Sequence, residues 1–304
     1  MTKLKFILIA IALCTLGTNY SYGQGCSDAG ICTMGSFKPH SADSTEILDN
    51  QFKFGAFYGI ADHSISAYGS YLEYNRQLGE KFGIDAKLTS LAQNGNGISV
   101  FGLSDIFLNA NYKASEKVKI TLGGKIPLSK ANKTNDDLPL PMDYQASLGT
   151  YDLIFGIGYE IENIHLAAAV QQPLTQNDNQ FIAGAYPENS ELREFRTTNE
   201  YQRAGDVMLR ASYPVNINTE FKLTPSLLPI YHLANDKYTD ESGVEQEITG
   251  SQGLTLNANV FLDYVVNSKN IIQLSLGMPF IVRDARPDGL TRSFIANLEY
   301  RIKF

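Results

Sequence analysis

Apolar and polar residues alternate strictly along most of this chain. The last thirteen residues, 292–304, show the pattern most clearly. One set is Phe294, Ala296, Leu298, Tyr300, Ile302 and Phe304; the other is Ser293, Ile295, Asn297, Glu299, Arg301 and Lys303, polar but for Ile295. Successive strand side chains point to opposite faces, so a period of two predicts a strand with one greasy and one wet side. The same pattern recurs at Phe52–Ile60, Tyr68–Asn75, Phe82–Thr89, Asp105–Lys113, Val118–Ile126 and Tyr151–Tyr159. It continues at Leu166–Val170, Val207–Tyr213, Leu254–Tyr264 and Ile272–Phe280. A weaker segment, Phe221–His232, carries Pro225 and Pro229, which cannot donate ladder hydrogen bonds. With the terminal stretch, that is about twelve strands.

The connections sort by parity. Short turns are predicted at Gly79–Lys81, Ser115–Glu116, Glu162–Asn163, Asn216–Asn218 and Asn267–Lys269. Long polar loops are predicted at about 92–103, 129–150, 172–204 and 234–250, with a more modest one at 283–289. The connection at Ala61–His63 is short and breaks the rule once. Membrane barrels have short turns at one end and long loops at the other, whereas a soluble sandwich has no reason to sort its loops. Inside hydrocarbon, each unpaired N–H or C=O costs several kcal/mol, and only a closed sheet pairs them all. The expected fold is therefore all-β: a transmembrane, antiparallel up-and-down β-barrel occupying residues 51–304.

Composition agrees. Charged residues are 19%, with 25 Gly and 11 Pro, which excludes a disordered chain. The 17 Tyr and 16 Phe suit the aromatic girdles of a barrel. Only the N-terminus carries a long apolar run: Lys3 and Lys5 precede residues 6–16, and small residues stand at Ser21 and Gly23. A signal peptide over 1–23 is expected, leaving Gln24 first. Losing Lys3 and Lys5 takes the formal charge from −7 to −9, which offers nucleic acid no electrostatic partner. Residues 24–50 lack periodicity and read as a spacer or as a plug folded into the lumen. Cys26 and Cys32 lie in that segment of an exported chain, so a local disulfide is the favoured reading. A lipid-anchored Cys26 is the alternative.

Candidate chemistry lies on the wet face. Gly102-Leu103-Ser104-Asp105, Gly149-Thr150-Tyr151-Asp152 and Gly205-Asp206 open alternate strands, each followed seven residues on by Tyr112, Tyr159 or Tyr213. Asp105, Asp152 and Asp206 are expected to face the lumen near its outer mouth, either as strand-start devices bonding loop backbone or as a partial acidic ring. Lys87, Lys125 and Arg210 are further lumen-facing candidates. No catalytic, cofactor or metal residues are expected: His40, His63, His165 and His232 lack a Ser two places on, so they do not form the His/Ser pair of barrel phospholipases.

Tyr300, Ile302 and the terminal Phe304 resemble the C-terminal assembly signal of bacterial outer-membrane barrels. That resemblance implies the barrel assembly machinery, lipid and lipopolysaccharide as partners and the bacterial outer membrane as location. The segment G-L-S-D-I-F-L-N-A-N-Y at 102–112 resembles outer-membrane proteins of the MetA-pathway phenol-degradation type and, more distantly, FadL-type channels. It implies a passive channel for small molecules, apolar or aromatic ones included. A structural or adhesive barrel with a closed lumen is the alternative. The cysteine segment resembles N-termini of exported proteins from Bacteroidetes, which implies a source in that phylum.

Overall fold

A computed structural model describes residues 31–39, 50–289 and 293–304. The segment 1–23 expected to be a signal peptide, and Cys26, lie outside the described residues. Twelve strands form one closed antiparallel sheet: β1 (Asn50–Ile60), β2 (Ser66–Leu78), β3 (Phe82–Gly95), β4 (Ile98–Lys113), β5 (Val118–Pro127) and β6 (Asp152–Ile161). The remainder are β7 (Ile164–Pro173), β8 (Asp206–Ser212), β9 (Phe221–His232), β10 (Gly253–Val265), β11 (Asn270–Ile281) and β12 (Phe294–Lys303). Each pairs with its sequence neighbours, and β12 closes on β1 from Ile60↔Phe294 to Gln51↔Lys303. Asn50 and Phe304 exchange backbone hydrogen bonds beyond that ladder, so Phe304 is itself part of the seam.

The outer face is what hydrocarbon requires. Phe54, Leu72, Leu88, Leu108, Leu122, Phe155, Leu209, Val260, Leu276 and Leu298 all stand exposed on it. At the short-turn end aromatic rings pair across strands: Phe52 with Tyr74 (4.9 Å between centroids), Phe82 with Tyr112 (5.0 Å) and Phe221 with Tyr264 (4.9 Å). Phe304 stacks on Phe52 at 5.6 Å, so the terminal ring joins the same belt, the position amphipathic rings take at a membrane interface. Tyr300 shares that outward face.

Two sequence expectations change. Residues 92–103 are not a loop. β3 and β4 run on and meet in a two-residue turn at Asn96 (φ 52°) and Gly97 (φ 73°). That is the left-handed pair a tight hairpin needs, and Asn-Gly is its commonest sequence. Long loops therefore follow only β5, β7, β9 and β11. The second change concerns β9, which is complete despite its prolines and pairs with β10 along its whole length, from Phe221↔Tyr264 to His232↔Gly253. The prolines act on the other side. The β8–β9 ladder runs from Asp206↔His232 to Met208↔Ile230 and resumes only at Ala211↔Leu227. Pro229 has no N–H to give across that interval. This break, with the short β8, is the thinnest part of the wall.

Candidate functional site

The loops at the long-loop end do not splay outward. Leu140 and Tyr144 from the β5–β6 loop pack with Phe181, Tyr186, Leu192 and Phe195 from the β7–β8 loop, against Ile98 at the tip of the β3–β4 hairpin. The Tyr144 hydroxyl donates to Gly95 O (3.0 Å) and accepts from Asn96 (3.1 Å), and burial pushes its pKa up to about 12. A second apolar cluster, Met142, Leu148, Tyr201, Ile248 and Ala285, joins all four long loops. The mouth thus carries a cap with cores of its own.

A network of buried charges fastens that cap. Arg203 reaches Asp206 at 2.6 Å and Asp288 at 3.3 Å, and Arg283 reaches Asp288 at 2.9 Å. His232 places Nδ1 2.7 Å from Asp206 and Nε2 2.7 Å from Asp236, so both ring nitrogens donate when the ring is an imidazolium. Burial alone would raise the Asp288 carboxyl, but Arg283 and Arg203 outweigh it and hold its pKa down at about 2. With both nitrogens facing carboxylates, His232 has none left to take a proton from a nucleophile. His63 packs against Phe195 with the rings tilted (4.1 Å between centroids) and His165 faces Glu160 (3.4 Å); His40 lies outside the described residues.

Asp152 and Asp206 open their strands as expected, whereas Asp105 stands in the middle of β4 because that strand begins at Ile98; all three point inward, and each is engaged rather than presented to a pore. Asp105 accepts from the Ser104 and Ser147 hydroxyls (2.6 Å each), Asp152 pairs with Lys125 at 3.0 Å, and Asp206 belongs to the cap network. Their partners are side chains more than loop backbone. The recurrence of Asp after Gly thus builds three separate loop anchors. Lys125 also lies 3.1 Å from Thr150 Oγ1, and both members of its ion pair are fully buried. Elsewhere in the lumen Lys53 pairs with Glu73 (2.7 Å), and Arg301 lies between Glu299 and Asp263.

At mid-height the lumen wall turns apolar. Phe107, Ile154, Ala169, Met208 and Leu228, from β4, β6, β7, β8 and β9, form a cluster with Cys32, Met34 and Phe37 of the N-terminal segment. Residues 31–39 lie across the inside of the barrel as two short 3-10 turns, Ile31–Thr33 and Gly35–Phe37. The wall holds them by hydrogen bonds. Lys87 donates to Thr33 Oγ1 (3.1 Å), Ser36 contacts Asp85 and Asn111, and Lys38 pairs with Glu299 (3.3 Å). Arg210 spends Nη1 on Phe37 O (2.7 Å) and Nη2 on Cys32 O (3.0 Å). Cys32 is disulfide-bonded; Cys26, the expected partner, lies outside the described residues. Sequence reasoning named Arg210 and Lys87 but did not single out Phe37, because one Phe in an aperiodic stretch carries no pattern.

No family model and no curated protein sequence matches the chain. Among solved structures, it is similar to the COG4313 outer membrane channel from Pseudomonas putida F1, at 12% identity and a TM-score of 0.59, covering 88% of this chain and 99% of that one. The NanC porin (10% identity, TM-score 0.46, 83% and 98% covered) resembles it less closely. So does the Ralstonia pickettii toluene transporter TbuX (10% identity, TM-score 0.41, 84% and 90% covered). The first of these likenesses covers most of the chain and concerns the fold.

Proposed function

We propose that this protein is an outer-membrane channel for the passive passage of small molecules, hydrophobic or aromatic ones among them. The observation that carries the reading is the lumen filling. At mid-height the barrel is occupied not by its own wall but by residues 31–38, a separate segment held through hydrogen bonds and one ion pair, Lys38–Glu299. A filling of that kind leaves by breaking non-covalent contacts, whereas a lumen packed by wall side chains opens only by unfolding the barrel. The fold shared with a solved outer membrane channel supports the reading, as does the resemblance of residues 102–112 to phenol-degradation and FadL-type channels. Export through a signal peptide over 1–23, delivery by the barrel assembly machinery through Tyr300, Ile302 and Phe304, and lipopolysaccharide as the outer-leaflet neighbour complete it. The reading includes a disulfide between Cys26 and Cys32 and no catalytic role.

One observation favours a second reading, a structural barrel with a closed lumen. The ion pairs Lys125–Asp152 and Lys53–Glu73 join neighbouring strands and Arg301–Glu299 lies along one strand, so wall side chains fill space on the inner face. Conductance in planar lipid bilayers separates the two. The full chain and a variant lacking residues 24–38 are compared in potassium chloride. Larger or more frequent conductance steps in the deletion variant are expected. Silence from both, with the barrel folded, assigns the structural reading.

A further inference from the structure

Arg210 is 4% exposed, points into the lumen from the weak interval of the β8–β9 ladder, and faces no carboxylate among the described residues. Its Nε has no hydrogen-bond partner, and both terminal nitrogens are spent on the carbonyl oxygens of Phe37 and Cys32. Several other inward charges have opposite charges beside them: Asp206 with Arg203 and His232, Lys125 with Asp152, and Asp263 with Arg301. A guanidinium taken out of water without a counter-ion is costly, and its fork matches a carboxylate. Phe261, 5.9 Å away, offers a ring face and no charge.

The Phe37 carbonyl holds this guanidinium, and the Phe37 ring lies on a place kept free by the small residues Gly156 and Ala169. A Cβ on Gly156 would sit 2.3 Å from Phe37 Cε1 and 2.9 Å from the Ala169 Cβ, so any side chain there would expel the ring. Phe107, Ile154, Met208 and Leu228 complete an apolar surround. Phe37 therefore offers the wall a benzene ring on one side and an acceptor oxygen to Arg210 on the other. A monocyclic aromatic carboxylate brings the same two groups, a ring and an acceptor oxygen, with a full negative charge in place of a carbonyl dipole.

We propose that the lumen holds a binding site for a monocyclic aromatic carboxylate, whose ring takes the place of Phe37 and whose carboxylate binds Arg210, and that residues 32–37 occupy it as an internal stand-in. The proposal rests on the channel reading and names its solute class. The carboxylate supplies the counter-ion that the two carbonyl groups do not. Entry of the solute therefore displaces the segment and opens the lumen in one step.

The test is titration calorimetry of the full-length protein in detergent with benzoate, benzyl alcohol and acetate as probes. The variants are Phe37→Ala, Arg210→Gln, Arg210→Lys and Gly156→Val, each checked for folding by its heat-modifiable mobility on gels. Weakening the stand-in raises the fraction of open sites, so Phe37→Ala is expected to tighten benzoate by roughly tenfold. Arg210→Gln, placed in the Phe37→Ala background, is expected to lose benzoate and keep benzyl alcohol, with Arg210→Lys between. Gly156→Val is expected to lose both, and acetate to bind none of the proteins. Benzoate binding that ignores both Phe37 and Arg210, or benzyl alcohol falling in step with benzoate in Arg210→Gln, overturns the proposal. Bilayer conductance in the same variants keeps the two readings apart. Conduction without benzoate binding sinks the site alone, and benzoate binding as described without conduction in any variant sinks the channel alone.

Discussion

The two fillings of this barrel are built on different principles. The outer cap has apolar cores of its own, in which Tyr144, Phe181, Phe195 and Leu192 face one another across loops. Its charges are matched within the cap: Arg203 and Arg283 against Asp206 and Asp288, His232 against Asp206 and Asp236. The inner segment has no such independence. Cys32, Met34 and Phe37 pack against the wall, and the hydrogen bonds Arg210 makes go to backbone carbonyl groups. A structure whose charges are internally matched loses by opening, because opening separates charges that cannot both be rehydrated cheaply. One that lends carbonyl groups to an uncompensated guanidinium is replaceable by anything that serves the guanidinium better. The cap is thus fixed architecture and the segment a displaceable occupant.

Arg203→Met strikes the cap hardest. It leaves the buried carboxylates of Asp206 and Asp288 short of a cation, which typically costs about 3–5 kcal/mol. Limited proteolysis of the 174–205 loop is expected to accelerate by two orders of magnitude or more while the barrel keeps its strand signal. An unchanged cleavage rate would mean the network is not what holds the loops. Phe37→Ala strikes the segment instead, removing a packed ring worth up to about 3 kcal/mol to its docking. Amide exchange at Phe37 and Lys38, whose N–H groups bond Met34 O, is expected to speed up, with none at the cap. Acceleration at both places would show that the two fillings are coupled, contrary to the contrast drawn above.

Acid separates them a third way. Asp288 has its folded-state pKa lowered to about 2, below the roughly 3.9 of an unfolded aspartate, so its stabilisation is fully present above the unfolded value. It is lost as the pH falls from about 4 toward 2. Loop proteolysis by an acid-active protease should rise across that window and stay flat between about pH 5 and 6. Gly97→Ala has a smaller effect: the position requires φ +73°, and about 1 kcal/mol of strain is expected, read as a modest fall in melting temperature. Smallest is Lys113→Ala at the short-turn end. Its exposed pair with Glu116 is worth no more than about 0.5 kcal/mol, so no measurable change is expected in cap, segment or barrel.

Much of the fold was legible because lipid writes a simple rule. Outward positions from Phe54 to Leu298 had to be apolar and inward ones did not, so each strand announces itself by period. The prolines of β9 weakened the signal without breaking the strand, since the ladder they interrupt is the one with β8. The 92–103 stretch misled in the other direction. Its Asn and Gly residues suggested a loop, whereas Asn96-Gly97 alone makes the turn and the flanking residues continue β3 and β4 to support the cap. Asp105, Asp152 and Asp206 could be placed on the inner face, but their partners Ser147, Gln171 and His232 come from other strands or loops.

The alternation along the chain by itself determined a closed sheet with a greasy outside, because side-chain direction in a strand depends only on sequence parity. It also determined which residues of that sheet face inward. What stands in the lumen was decided in three dimensions: that Phe37 meets Gly156 and Arg210 depends on strands 6 and 8 and an aperiodic segment arriving at one height. Register around a cylinder is set by closure, which is a property of all twelve strands together and of no one stretch of sequence.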